Sequence, residues 1–328
     1  MVCEKFPVVR GFLFLLAFFL SYPALSHGRT ISVNCTKGDT IQEAVDKASP
    51  GDTISVTGIC NENVTVKEGL VRLTVNGGGT ATVEGPDSTA ATILLRGANI
   101  TIKGFTIRGG LNCINPDRGG WGRIENNTIE FCGQHGVAIT RNSFAQIINN
   151  TIRNNGASGI LVAASSSARI GFISDLDTSA SPNTIKSNNQ HGILVNRSGA
   201  AEIAGNTIID NVQDGVRLRE GSSARIGFFG VGPTIAGNAI NTNGGNGVTI
   251  ETVSFAELRS NTNTANTGDG VVVRKNSGVD LKDNISNGDN GGFGVTCRTN
   301  SYASGNLNTL SGTSGAEDFG SDCVDDLN

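Results

Sequence analysis

One column of the sequence carries the residue types that acid–base chemistry needs. Similar phrases recur along the chain, such as NNTIRNNGASGILV at 149–162, and a polar residue precedes the glycine near the end of each: His135, Ser158, His191, Asp214, Asn246 and Asp269. His191 and Asp214 belong to successive phrases, so the carboxylate could orient the imidazole as an acid–base pair. Arg217 and Arg219 follow, and a guanidinium can hold a substrate carboxylate. We therefore predict these four as catalytic and Asp269 as substrate-binding; the alternative is that the whole column consists of ordinary corner residues.

Two insertions interrupt the phrases at equivalent places. Residues 172–182 and 228–237 both follow Arg-Ile-Gly, so both should leave the fold at one corner and together wall a groove around that column. Asp175 and Asp177 lie in the first insertion, where they could bind calcium; the alternative is a solvated loop. Trp121, in DRGGWG, is expected either to bind substrate by stacking on a sugar or to cap its loop. The sequence requires no cofactor and allows calcium.

The elements that position these residues come from a repeat of about 23 residues. Each unit has an asparagine with a glycine nine residues later, at Asn127 and Gly136, Asn150 and Gly159, Asn183 and Gly192, Asn206 and Gly215, Asn238 and Gly247, and Asn261 and Gly270. A second asparagine follows the first by five residues in most units, at Asn155, Asn188, Asn211, Asn243 and Asn266, with Cys132 in that place in the first. A fixed period of this size indicates a solenoid.

Two kinds of solenoid have a period of this length. Leucine-rich repeats also carry an asparagine column, but they need leucine at most apolar positions, whereas isoleucine and valine dominate here. Short β-branched runs separated by Gly, Asn and Ser corners predict three parallel strands per turn. The predicted fold is therefore an all-β, right-handed parallel β-helix, with successive rungs about 4.8 Å apart.

The repeated residues receive structural roles in this fold. We expect the asparagines to adopt the left-handed conformation of tight corners and to bond to the same amide one rung away. We expect the glycines to supply positive φ at another corner. A further column reads Gln146, Arg169, Glu202, Arg225, Glu257 and Asp280, and its alternating charges predict a ladder of ion pairs that fixes the register; the alternative is a polar ligand-binding face.

The two ends of the chain show export and capping signals. Residues 1–26 read as a signal peptide, with a basic start, the apolar run GFLFLLAFFL and small residues before the cleavage site. The mature chain, 27–328, is predicted as one domain: an N-terminal cap at 27–60, regular coils at 100–303 and a C-terminal cap at 304–328. A short helix at 40–48 begins with a capping box of Thr40 and Glu43.

Six cysteines remain after the signal, and an even number in an exported chain favours disulfides over metal ligation. We predict the local pairs Cys35–Cys60 and Cys297–Cys323, and Cys113 with Cys132 as the third.

Composition excludes two classes of partner. The formal net charge is −4 and the chain has no basic block, so no nucleic-acid partner is expected. The apolar run of the signal is too short to span a bilayer, so no stable membrane span is expected once it is removed. Secretion or periplasmic export is the expected localisation.

Three stretches carry a resemblance to a known family. TIQEAVDKASPGDTISVTG at 40–58, NITIKGFTIRGG at 99–110 and the recurring Asn-Thr-Ile coils resemble exported proteins of the pectin-lyase-like right-handed parallel β-helix superfamily. The resemblance covers essentially the whole mature chain. It implies a carbohydrate-active relative of pectate lyases, polygalacturonases and alginate epimerases, although the superfamily also includes adhesins.

The enzyme signatures of that superfamily mostly do not carry over. The His-Gly pair of polygalacturonases is present at His135-Gly136 and His191-Gly192, whereas the one Asp-Asp pair, Asp325-Asp326, lies outside the coils. Polygalacturonase-like Asn-Thr-Asp and Arg-Ile-Lys are absent, as is the Asp-Pro-x-x-His-Asp motif of alginate epimerases. The main functional prediction is therefore binding of an extracellular or periplasmic polysaccharide along a lateral face, with processing by a lyase, epimerase or hydrolase reaction as an extension. The alternative is a non-catalytic structural or adhesive solenoid.

Overall fold

The computed structural model describes residues 28–327 except 175, 228–236, 287–288 and 307. The signal peptide, Asp175 and most of the second insertion lie outside the described residues.

The chain winds into a right-handed parallel β-helix with three faces, and every strand pairs in parallel with strands one turn away. Face 1 contains Thr30–Asn34, Thr53–Thr57, Trp121–Glu125, Phe144–Ile148, Ser167–Ile170, Ala200–Ile203, Ser223–Ile226, Phe255–Arg259, Gly278–Lys282, Tyr302–Asn306 and Val324–Leu327. Face 2 contains Ile59–Asn61, Thr128–Glu130, Thr151–Arg153, Thr184–Lys186, Thr207–Ile209, Ala239–Asn241, Thr262–Thr264, Ile285–Ser286 and Thr309–Leu310. Two long strands, Val71–Gly85 and Asn99–Gly109, run through both faces.

Face 3 is a separate sheet of 11 strands. Its strands are Val64–Val66, Ile93–Arg96, Ile114–Asp117, Val137–Ile139, Ile160–Ala163, Ile193–Asn196, Val216–Leu218, Val248–Glu251, Val271–Arg274, Phe293–Cys297 and Gly315–Phe319. The all-β fold class is confirmed, and so is the prediction of three strands per turn.

The core is a set of stacked aliphatic columns. On face 1 one column runs through Ile124, Ile147, Ile170, Ile203, Ile226, Leu258 and Leu281, all with 0% exposure and each in register with the next. One coil alone would leave such side chains in water, and each contributes about 1.5–3 kcal/mol when stacking buries it. The repeat is therefore stable only as an array.

Two asparagine ladders run along the helix, as the sequence predicts. In one, the Nδ2 of Asn183 donates to the Oδ1 of Asn206 at 2.9 Å, and the Nδ2 of Asn206 donates to the Oδ1 of Asn238 at 3.0 Å. The second ladder repeats this pattern from Asn155 through Asn188 to the following turns. Each Oδ1 also accepts the backbone N–H of the preceding ladder asparagine, so these buried amides satisfy one another.

The expected backbone conformations were wrong for both repeated residues. The ladder asparagines do not have positive φ; the residue before each one commonly does, as Asn149 does at φ 55° before Asn150 and Ser187 does at φ 54° before Asn188. The corner glycines are not at positive φ either. They are needed for space, because a Cβ on Gly159 would lie 2.6 Å from the Cγ2 of Ile185 and 2.8 Å from the Nδ2 of Asn188.

The N-terminal cap contains the expected helix, Ile41–Lys47. The Thr40 hydroxyl accepts the backbone N–H of Glu43 at 3.2 Å, which is half of the predicted capping box. A residue from outside the helix satisfies two further N–H groups of the first turn: the Glu62 carboxylate accepts those of Ile41 and Gln42 at 2.7 and 2.9 Å.

All three predicted disulfides, Cys35–Cys60, Cys113–Cys132 and Cys297–Cys323, are present. The regular pairing extends beyond 100–303 in both directions. Thr30–Asn34 already pairs with Thr53–Thr57, and the last strands still pair on all three faces. No helix among the described residues is long and apolar enough to cross a membrane.

Candidate functional site

A groove of about 560 Å³ runs along the outer surface of face 3. It is lined by Asn115, Gln134, His135, Thr140, Arg141, Leu161, Ala163, Ala164, Gln190, Leu194, Asn196, Arg197 and Arg219. Inward residues of these strands alternate with the lining residues, since successive side chains of a strand point to opposite faces. Leu161 and Leu194 are in register on adjacent rungs and form an apolar floor, with amides and guanidiniums on either side.

A buried carboxylate fixes the N-terminal end of the groove. Asp117 is 1% exposed, and Arg141 donates to it through Nε at 2.5 Å and through Nη2 at 2.7 Å. The Thr140 hydroxyl donates to the same carboxylate at 3.0 Å. These bonds hold the Arg141 guanidinium, which is half exposed, at the edge of the groove.

The column of His135 and its counterparts forms a third hydrogen-bonded ladder. The Nδ1 of His135 accepts the N–H of Ser158 at 3.2 Å, and the Nδ1 of His191 accepts the N–H of Asp214 at the same distance. The Oδ1 of Asp214 in turn accepts the N–H of Asn246 at 2.9 Å. Because each Nδ1 is an acceptor, each neutral imidazole carries its proton on Nε2.

The structure brings His191 and Asp214 together, as the sequence predicts, but the arrangement is not that of an acid–base pair. The Nδ1 of His191 lies 3.6 Å from the Asp214 carboxylate and already accepts a backbone proton, so it has none to donate to the carboxylate. Burial lowers the pKa of His191 to about 3, helped by the positive charges of Arg217 and Arg219. Burial also raises the pKa of Asp214.

A charged cluster lies further along face 3, around a carboxylate that the sequence did not single out. Glu251 is 2% exposed and accepts from Arg217, from the Nε of Arg274 at 3.0 Å and from the Nζ of Lys275 at 3.0 Å. Burial acts to raise the pKa of Glu251, but hydrogen bonds from Arg217 and Lys275 outweigh it and lower the pKa to about 2. Arg217 also lies 3.4 Å from Asp214, so two carboxylates hold it in place.

Two arginines and an amide flank the leucines of the groove. Arg197 and Arg219 both lie near Glu220, at 3.6 and 3.5 Å. The Oδ1 of Asn196 is buried and accepts no hydrogen bond from any residue that the structure describes. A buried acceptor without a donor costs about 1–3 kcal/mol.

The other predicted site residues lie elsewhere. Trp121 is on face 1, where its ring stacks on Phe144 with centroids 5.9 Å apart. Asp269 continues the His191 column, and its Oδ1 accepts the N–H of Phe293 at 2.7 Å. The Asp177 carboxylate accepts N–H groups of Ile173 and Ser174 within its own loop, at 2.6 and 3.0 Å.

Calcium binding by Asp177 with Asp175 therefore stays a prediction. Within the described part of the chain, the one cluster of three potential metal ligands is Cys35, Cys60 and Glu62. Both of these cysteines are in a disulfide, and Glu62 caps the helix, so the cluster is structural.

The first insertion does not wall the His191 column as expected, and all but Gly237 of the second lies outside the described residues. The first leaves after Ser167–Ile170, at the corner between faces 1 and 2, whereas His191 precedes Ile193–Asn196 at the corner between faces 2 and 3. The carbonyl of Ile173 accepts from Gln146 and Arg169 at 2.9 and 2.8 Å, which places the insertion beside face 1.

The groove residues missed from sequence share one signal. One position of the repeat holds Thr140, Ala163, Asn196, Glu251 and Arg274 together with the predicted Arg219. Another position, two residues earlier, holds Leu161 and Leu194 together with the predicted Arg217. Comparing these two positions across all the repeats would have identified the residues on the outer surface of face 3.

Because both histidines are buried, acid should weaken the fold. Their folded-state pKa values, about 4 for His135 and about 3 for His191, lie below the usual 6.5, so the unfolded chain binds protons more readily between these limits. This contribution to stability is fully present above pH 6.5 and is lost as the pH falls, by roughly 2 kcal/mol per histidine at pH 5. Thermal unfolding across this window measures the loss.

The double variant His135→Asn with His191→Asn is the control. Asn246 occupies the same column and its Oδ1 accepts the next backbone N–H at 2.8 Å, so the amides should preserve the ladder. Asp214 also titrates in acid, but it is present in both the unmodified protein and the double variant, so its contribution to the pH dependence largely cancels in the comparison. The stability of the double variant should depend much less on pH in this window. If its stability falls with pH as steeply as that of the unmodified protein, groups other than the two histidines cause the loss.

Comparison with known proteins places the chain among parallel β-helix proteins. The chain belongs to the right handed beta helix region family, whose model matches residues 49–175, 90–228 and 178–308. The predicted resemblance to pectin-lyase-like proteins is thereby confirmed. A search of curated proteins by sequence found no match.

Several solved structures share the fold at low sequence identity. The A-module of mannuronan C-5 epimerase AlgE4 from Azotobacter vinelandii is 16% identical with a TM-score of 0.59, over 87% of this chain and 94% of that one. The periplasmic alginate epimerase AlgG is 16% identical with a TM-score of 0.52, over 90% and 83%. The catalytic domain of Agl-KA is 14% identical with a TM-score of 0.53, over 90% and 68%. At this identity the likeness shows the fold.

Proposed function

We propose that the protein binds an acidic, uronate-containing polysaccharide lengthwise along the groove of face 3. The groove itself carries the proposal: an apolar floor of Leu161 and Leu194 lies between arginines and amides on a rigid sheet. Ligand grooves commonly combine an apolar floor with a few fixed polar groups.

The charges along the face favour an anionic ligand. Six cationic side chains lie on or beside the groove: Arg141, Arg197, Arg217, Arg219, Arg274 and Lys275. The carboxylates that pair with them are four: Asp117, Asp214, Glu220 and Glu251. The excess of positive charge contrasts with the net charge of −4 for the whole sequence, and it would attract carboxylates of the sugar chain.

The neutral groups fit the rest of a sugar chain. The apolar faces of pyranose rings can pack on Leu161 and Leu194, while the amides of Gln134, Gln190 and Asn196 can bond to hydroxyls. His135 lines the same groove, and its neutral imidazole presents an Nε2–H donor because Nδ1 accepts a backbone proton. In this role the histidine is a hydrogen-bond donor to the ligand.

Binding, and not turnover, is the function that we assign. Deprotonating a sugar requires a base with a free lone pair, and the Nδ1 atoms of His135 and His191 both accept backbone protons. Two structural neighbours are named as epimerases of mannuronan and alginate, which are uronate polymers, and this supports the class of ligand. The disulfides and the name of the periplasmic neighbour support an extracytoplasmic location.

The test removes the arginines that flank the leucines. Arg197→Gln combined with Arg219→Gln should weaken binding of oligomannuronate or oligogalacturonate about tenfold or more, since charge-assisted hydrogen bonds contribute about 1.5–3 kcal/mol each. Isothermal titration calorimetry measures the affinity. Arg72→Gln removes the same charge from an exposed position on face 1 and should leave the affinity unchanged. If neither uronate binds the unmodified protein, the proposal fails.

A structural or adhesive solenoid is the second candidate. One observation favours it: backbone N–H groups of the next turn donate hydrogen bonds to the side chains of His191, Asp214 and Asp269. On this account the column exists to hold the coils together. Absence of binding across a glycan array, together with loss of stability in His191→Ala, would favour it over the polysaccharide binder.

A further inference from the structure

Face 1 carries a second groove, of about 420 Å³, on a different side of the solenoid from face 3. Its floor is one column of small residues in register on three successive rungs, Ser167, Ala200 and Ser223. The same column continues to Phe144 at one end and to Phe255 at the other. The groove is therefore a saddle between two aromatic rings four rungs apart, which is about 19 Å at the usual strand spacing.

A second ring supports each end of the saddle. Trp121 stacks on Phe144 with ring centroids 5.9 Å apart and planes at 24°. Phe255 and Tyr302 lie 6.4 Å apart at the other end, and they are 36% and 43% exposed. The rings at the Trp121 end are half-buried and those at the other end are exposed, in a sequence in which only 5% of residues are aromatic.

The wall of the saddle is the charge column that the sequence interpretation assigned to register. Arg169 bonds to Glu202 at 2.8 Å, and Arg225 lies 3.8 Å from Glu257. Signs alternate along the wall, so a polyanion would meet a carboxylate as often as a guanidinium. A sugar hydroxyl can donate to a carboxylate and accept from a guanidinium, so a neutral chain of hydroxyls matches the alternation.

We propose that the saddle of face 1 is a second glycan site, for a neutral, extended, β-1,4-linked hexose or pentose chain. The apolar faces of the sugar rings pack on Phe144 and Phe255, and the hydroxyls bond to Glu202, Arg225 and Glu257. The size of the groove favours this occupant over a folded protein. Stable protein interfaces bury about 800 Å² on each partner, whereas clefts of about 300–1,000 Å³ hold small or chain-like ligands.

Trp121 makes the site measurable. It is the one tryptophan of the sequence, and it stacks on Phe144 at one end of the saddle. Titration with cellohexaose, mannohexaose and xylohexaose should change its fluorescence in a saturable way with at least one of the three. Phe144→Ala combined with Phe255→Ala should weaken that binding at least about tenfold, because aromatic side chains dominate such contacts.

Two further variants make the result specific. Phe131→Ala removes another exposed ring, 59% exposed and at a face 2 corner, and should leave the affinity unchanged. Ala200→Leu fills the exposed floor without touching the core and should block binding even if the double phenylalanine variant fails to fold. Thermal unfolding checks that each variant is folded.

The two sites are separable. The Arg197→Gln/Arg219→Gln variant of face 3 should bind the neutral probe normally, so failure of the uronate proposal leaves this one standing. If none of the three neutral hexamers binds, the inference is overturned. It is also overturned if Phe131→Ala weakens binding as much as the saddle variants do, or if folded Ala200→Leu binds normally.

Discussion

Asn188→Ala should destabilise the protein by about 4 kcal/mol or more. The Oδ1 of Asn188 accepts both the backbone N–H and the Nδ2 of Asn155, at 3.2 and 2.9 Å, and its own Nδ2 donates to Asn211 at 2.9 Å. Alanine would leave several of these buried groups without partners, and each one costs about 1–3 kcal/mol. Chemical denaturation followed by circular dichroism measures the loss.

Asn189→Ala is the matched control, because this neighbouring side chain is exposed. It should change the free energy of unfolding by less than about 0.5 kcal/mol, as surface substitutions generally do. Equal effects of the two substitutions would mean that the ladder contributes nothing beyond ordinary corner propensity.

Glu251→Gln should be the second most damaging substitution, at about 3–5 kcal/mol, because it removes a buried carboxylate and leaves Arg217, Arg274 and Lys275 without its charge. Since the pKa of Glu251 is lowered to about 2, its contribution is present above pH 4.5 and is lost only as the pH falls toward 2. The free energy of unfolding at pH 7 and at pH 3 measures both effects.

Glu257→Gln provides the comparison, because Glu257 belongs to a more exposed ion pair, 3.8 Å from Arg225. Such pairs contribute about 0–1 kcal/mol. If Glu251→Gln costs no more than Glu257→Gln, the charged cluster does not stabilise face 3, and Arg217 is not held there by its carboxylates.

The fold was predictable because each turn of a solenoid repeats the same structural positions, so the sequence repeats with the period of one turn. Asn183, Asn206 and Asn238 recur at one position, and that recurrence was enough to place them on neighbouring rungs and to predict the amide ladder. The disulfides were predictable on a different ground, the even number of cysteines in an exported chain and their local pairing, and Cys35 and Cys60 indeed tie the ends of consecutive paired strands. Recurrence shows which positions are constrained and which residues are stacked.

Recurrence does not show why a position is constrained. Glycine suits both positive φ and close packing, and the structure uses Gly159 for packing. Histidine before glycine suits both catalysis and a corner, and the hydrogen that decides between these roles for His191 comes from the backbone of Asp214. Which donor reaches the Nδ1 of His191 depends on how neighbouring turns are aligned in space, and the residue types alone do not determine that alignment.

The grooves were missed for a related reason. Each combines residues from successive turns that are far apart in sequence, such as Leu161 with Leu194 on face 3 or Phe144 with Phe255 on face 1. Neither pair forms a motif within a single repeat. The surface becomes visible only when the outward positions are read across the rungs, after the strand boundaries have been fixed.

The central claim, that face 3 holds an acidic polysaccharide, is tested most directly by a crystal structure of the protein with bound oligomannuronate. We predict sugar density over Leu161 and Leu194, with ligand carboxylates at Arg197 and Arg219 and ligand hydroxyls at Gln134 and Gln190. Density confined to the saddle of face 1, or to no surface of the solenoid under conditions that saturate binding, would contradict this account.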